Sequence, residues 1–182
     1  TPLEKQQTAR IITCSFVLLT AFLGACFVQP HPQSYWFYTQ LMSISDAFIA
    51  FWLCWYLYKK HDQPTNTTLW HQFLHWCGTL MTIYAITVFI SAGLISAHQA
   101  SLVTMTILAL SFFIAGVHSD TQFILLGITL GAMTCLIPTT HNNQILYASG
   151  IAIVGLILAI GLSLYQKKHS RKTPDDATET ET

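Results

Sequence analysis

Asp46 is the one acidic side chain within a long apolar stretch of this chain, and it stands near the middle of that stretch. Placing a carboxylate there costs about 2.5–3.5 kcal/mol even on a lenient insertion scale, so its side chain is expected to face a protein interior. At helical spacing Thr39, Ser43, Asp46 and Ala50 share one narrow arc. A carboxyl flanked by hydroxyls suits two roles. It can pass a proton or cation that reaches it past Thr39 and Ser43, or it can bond a neighbouring helix and lock a bundle.

Histidines form the second group. His71 and His75 are four apart on one helical face, and His118 and Asp120 share a short turn between two later apolar segments. If those segments are neighbours, all four side chains reach one depth on one side. Imidazole and carboxylate ligands in that arrangement suit Zn²⁺ or another divalent transition metal. No Glu follows His71, so the spacing is not the metalloprotease motif. Asp120 is also well placed to cap the helix that follows it. Haem is a further alternative, since cytochromes of the b561 family hold it between histidines on facing helices. The chain resembles them only in helix count, because His31, His98 and His141 fall in loops or at helix ends. Six-helix proteolysis of the rhomboid type needs a serine with a partner histidine. Ser149 opens its helix and no histidine lies along it.

These side chains must be positioned by elements of an unusual kind. Apolar residues make up 52% of the 182 positions and charged residues only 9%, against roughly 25% charged in a soluble domain. Eight Lys/Arg and eight Asp/Glu cannot solvate such a surface, which excludes a cytosolic enzyme, a disordered chain and a nucleic-acid binder. The five cysteines are scattered singly, with neither a paired motif nor a disulfide framework, and read as small buried hydrophobes.

Six apolar segments follow one another: 11–28, 35–58, 69–96, 101–117, 121–138 and 145–165. Each approaches the roughly 20 residues that a helix needs to cross a bilayer. The brief links predict antiparallel neighbours, with helices three, four and five as consecutive hairpins. All Lys and Arg fall at 5 and 10, at 59 and 60, and at 167–172. With six crossings these lie on one side, so the positive-inside rule places both termini in the cytoplasm. Aromatic residues at 35–38 and around 52–58 and 70 fit interfacial belts. The chain thus reads as an all-α integral membrane protein, a six-helix bundle with short loops. A cytoplasmic N-terminal segment (1–10) precedes the transmembrane domain (11–165). A basic, then acidic tail (166–182) follows and is expected to be disordered.

Two local motifs are read as accidental. Leu23-Gly24-Ala25-Cys26 matches a lipoprotein cleavage box, yet small residues before a Cys are common in membrane helices. Asn66-Thr67-Thr68 matches a glycosylation acceptor but lies on the side of Lys59 and Lys60. Small and polar stripes are expected to mark helix packing faces. They comprise His71, His75, Gly78, Thr82, Ala85, Gly93 and Ser96 in helix three, and Thr104, Ser111, Ala115 and His118 in helix four. Helix five offers Asp120, Gly127, Gly131 and Thr134, and helix six Ala148, Ala152, Gly155 and Ala159. Gly127-x-x-x-Gly131 suits a contact within the chain or between copies. The favoured function is a small transport or channel-like protein, or a subunit of a membrane complex, built around Asp46 and needing no cofactor. A metal- or haem-binding membrane enzyme using the histidines is the alternative, and a structural or partner-binding protein without its own site is the third reading. The lipid bilayer is the expected surrounding, here a bacterial inner membrane, with a membrane-protein partner or a second copy as further partners.

Overall fold

The computed structural model describes residues 2–27, 32–58, 65–118, 120–136 and 144–170. Among them are six helices: α1 (Pro2–Phe27), α2 (Pro32–Tyr58), α3 (Thr65–Ser91), α4 (Ala97–His118), α5 (Thr121–Leu136) and α6 (Gln144–Ser170). Proline opens both α1 and α2, where its fixed φ suits the first turn and its missing N–H costs nothing. Five of the six are long and apolar enough to cross a membrane. The exception, α5, has 16 residues and is about 24 Å long at 1.5 Å per residue. The tail beyond 170 and the Lys59–Lys60 loop lie outside the described residues.

The link between α3 and α4 differs from the expected one. The turn falls at 92–96 rather than at 97–100, and two capping devices set it there. Gly93 takes φ of +71°, Leu94 N donates to Phe89 O at 3.0 Å, and Gly93 N donates to Ile90 O at 2.9 Å. This is a Schellman cap closing α3. Ser96 then opens α4 in a reciprocal capping box with Gln99. The Gln99 amide N donates to Ser96 Oγ at 3.3 Å, and Ser96 N donates to Gln99 Oε1 at 3.0 Å.

Four helices, α1, α2, α4 and α5, form the centre, while α3 packs on α2 and α4 and α6 packs on α1 and α5. Side-chain pairs fix the directions. Gln40 bonds Thr87 and Phe51 meets Phe73, so α2 and α3 are antiparallel. Thr39 bonds Ser101 near the start of both α2 and α4, so those two run the same way. Being flanking elements, α3 and α6 keep only 22% of their spans buried, against 56% for α4. Their outward faces are apolar: Met81 is 76% and Tyr84 70% exposed. Faces of this extent are of the kind that meet lipid or a protein partner.

Small residues set the closest approaches. A Cβ on Gly127 would lie 2.6 Å from Phe113 N and 2.7 Å from Ala109 O, so this glycine lets the α4 and α5 backbones touch. The contact at Gly127 is therefore within the chain. Ala148, Gly155 and Ala159 are likewise buried. The α3 stripe is not a packing face, since His71, Gly78, Thr82 and Ala85 are exposed and His75 is half-buried. The face of α3 that packs carries Gln72, Trp76, Thr79, Ile83 and Ile86. Large Trp76 stacks edge-on against Phe112, and this contact outweighs the close approach that Gly78 would allow. The cysteines divide too: Cys14 and Cys54 are buried, Cys77 and Cys135 exposed.

Candidate functional site

Three clusters of polar side chains stand out among the described residues. The first surrounds Asp46, which has no exposed surface and stands midway along the apolar span Trp36–Leu57 of α2. Thr39, Ser43 and Ala50 on the same arc are also buried. Ser43 Oγ donates to Thr39 O at 2.7 Å, and Thr39 Oγ1 donates to Ser101 Oγ on α4 at 3.4 Å. Asp46 itself looks toward α1. Thr20 Oγ1 is 3.3 Å from Asp46 Oδ1 and donates to Val17 O at 2.9 Å. The hydroxyl has one proton for two acceptors, so both are fully satisfied only when Asp46 brings a proton of its own. Its other oxygen, Oδ2, is buried without a hydrogen-bond partner.

The second group is the histidines. His71, His75 and His118 line one cleft between α3 and α4, together with Gln72, Ile114 and Ala115, with a volume near 420 Å³. His75 Nε2 lies 3.1 Å from Ser111 O, and His118 Nδ1 lies 2.9 Å from Ile114 O. A carbonyl can only accept, so each of these ring nitrogens carries a proton. Below His75, Thr79 Oγ1 pairs with Ser111 Oγ at 2.9 Å. Among the described residues no three His, Cys, Asp or Glu side chains converge closely enough to hold a metal ion.

Asp120 is not part of that cleft. Its Oδ2 lies 2.8 Å from Arg10 Nε, with side-chain exposures of 6% and 23%. Its Oδ1 accepts from Gln122 N at 3.2 Å, capping α5. This third group continues inward. Gln122 is buried and its Nε2 donates to Ser163 Oγ on α6, while Cys14 Sγ lies 3.6 Å from Gln122 Oε1. Gln7 Nε2 donates to Ser163 O at 3.3 Å. Arg10, Gln122 and Ser163 thus tie α1, α5 and α6 together at one end of the bundle. Sequence reading used Arg10 only as a marker of topology and held every span free of Lys and Arg. In the structure α1 runs from Pro2, so Arg10 lies inside the helix, directly before the apolar run, and within its apolar window Lys5–Gly24. The signal was present as an arginine bordering an apolar run and an aspartate at a tight turn, but nothing in their spacing joined them.

Comparison with protein-family models, curated proteins and solved structures gave no match to this chain.

Proposed function

We propose that this chain is a multi-pass membrane protein that moves protons or small cations, with Asp46 as the group that takes up and releases them. The observation that carries this reading is the Asp46 carboxyl: fully buried, at mid-span, with Oδ2 unbonded. A carboxyl kept only to lock helices gains most when both oxygens are bonded, because an unpaired buried oxygen loses its hydration without return. A carboxyl that exchanges an ion needs an oxygen free to receive it. Ser43 and Thr39 supply buried hydroxyls on the same face, about one and two turns from Asp46. We place the protein in a bacterial cytoplasmic membrane with both termini inside, on the partition of its Lys and Arg.

Purified protein in lipid vesicles containing a pH-sensitive dye tests the reading. Under an imposed membrane potential or sodium gradient, the wild type is expected to change lumenal pH, and Asp46→Asn to lose at least nine-tenths of that rate. Asn keeps the size of the side chain, and unchanged helicity and elution volume would show that the variant folds. Equal rates for the two proteins, or a wild type no faster than empty vesicles, would reject transport. The structural role would then be favoured.

A further inference from the structure

We infer that the cleft between α3 and α4 is a binding site for a hydrated divalent transition-metal ion, held by His75 Nδ1, His118 Nε2 and Gln72 Oε1 with water completing its shell. This site is separate from Asp46 and does not depend on the transport reading.

The ring chemistry comes first. Because His75 Nε2 and His118 Nδ1 each give their proton to a backbone carbonyl, the opposite nitrogens, His75 Nδ1 and His118 Nε2, are the ones left with a lone pair in the neutral ring. A ring fixed by a carbonyl through one nitrogen and open at the other is the arrangement that orients a metal-ligating histidine and raises its basicity. Two such rings line one cleft here. They come from different helices, one of them from the last turn of α4.

Gln72 supplies the second, independent observation. It lines the same cleft, its side chain is buried, and its Oε1 has no hydrogen-bond partner. A buried amide oxygen left unbonded costs about 1–3 kcal/mol. That oxygen has almost no accessible surface of its own, so a cation or its water in the cleft reaches it, and removes that cost, once the amide turns outward. All three groups are therefore acceptors, and no described residue in the lining is a permanent cation or anion. Two imidazole nitrogens and an amide oxygen select the nickel, copper, cobalt and zinc class over Mg²⁺ or Ca²⁺, which prefer all-oxygen shells.

The remaining observations set the form of the site. No three His, Cys, Asp or Glu side chains converge among the described residues, so a site here would draw on two imidazoles and oxygen rather than on three histidines. A volume near 420 Å³ exceeds that of a bare ion and leaves room for several waters at about 30 Å³ each. Asp120 takes no part, being paired with Arg10. His71 is exposed at the rim, four residues from His75, and is not a required ligand.

Titration of the full-length protein in detergent with Co²⁺ alone, followed by its visible absorption and by calorimetry, tests the inference. One ion per chain is expected, displaced by Zn²⁺ and not by Mg²⁺. His75→Ala and His118→Ala should each weaken binding at least tenfold, and Gln72→Leu several-fold. His98→Ala, on the far end of α4, should leave it unchanged. His118 is exposed, so its substitution tests the site without disturbing the core, and His118→Gln provides a second variant there. Asp46→Asn should bind Co²⁺ as the wild type does, which separates failure of this site from failure of the transport reading. Absence of saturable binding, or binding unaffected by loss of both His75 and His118, would overturn the assignment.

Discussion

Arg10 and Asp120 show what one ion pair does at the end of an apolar bundle. Asp120 is nearly buried, so removing its partner strands a carboxylate with little water to replace the guanidinium. Arg10→Met is expected to destabilise the protein toward the lower end of about 3–5 kcal/mol, because Arg10 keeps some exposure. Asp120→Asn in the Arg10→Met background should recover part of the loss, since Asn keeps the oxygen that caps α5 while removing the stranded charge. Thermal unfolding of the four proteins of this cycle in detergent measures the coupling. A double variant no more stable than Arg10→Met would count against a charge-driven loss. Asp46 was legible from sequence because a carboxylate inside an apolar run is costly wherever it occurs. Arg10 was not, because a cation at the end of an apolar run has an inexpensive alternative in the headgroup region. Gln72 also escaped notice: an amide carries no charge to mark it, and only its unbonded oxygen beside two imidazoles draws attention to it.

Helices report their faces unevenly. Those of α2, α5 and α6 were readable from small and polar stripes. On α3 the same rule chose the wrong face, because packing of Trp76 and bonding of Thr79 across to α4 decide its orientation. The Schellman glycine and the Ser96-x-x-Gln99 box were in plain view in the sequence and would have moved the α3–α4 boundary. Hydropathy alone runs straight across them. Substitution at the glycines separates buried faces from open ones. Gly127→Ala puts a methyl group against α4 backbone and should cost about 1–3 kcal/mol. Gly78→Ala and Gly150→Ala meet nothing within 4 Å and should leave stability unchanged or raise it by up to about 1 kcal/mol. Unfolding in detergent compares the three, and a Gly127→Ala protein as stable as Gly78→Ala would contradict the close approach of α4 and α5.

At the scale of the whole molecule, the centre of four helices and its two flanks distribute polarity unequally. Hydroxyls and carboxyls gather where helices meet, while α3 and α6 turn broad apolar faces outward. That α5 is short matters less than it would on the periphery, because three helices enclose it. Cysteine-accessibility labelling, in a background where the native cysteines are replaced, reads the orientation. Probes at Lys5 and Thr121 are expected to react from the cytoplasmic side and a probe at Gln99 from the opposite side. Labelling of Gln99 and Thr121 from the same side would remove α4 as a crossing and overturn the six-helix topology.

The bond between the first and fifth helices also bears on how the protein is made. Beside it, Cys14 and Gln122 are 108 positions apart in sequence, and a ribosome adding about 5–20 residues per second needs on the order of 5–20 s to bridge such a gap. Throughout that interval the nascent chain holds an arginine at its first helix before its acidic partner exists. If the chain enters a membrane as it is made, as the proposed function implies, the arginine is expected to wait at the lipid headgroups, its alkyl stem reaching out of the hydrocarbon, and to move inward when the fifth helix arrives. Assembly would then be ordered by translation: helices two to four could gather early, and the first helix would take its final depth only after the fifth had been synthesised.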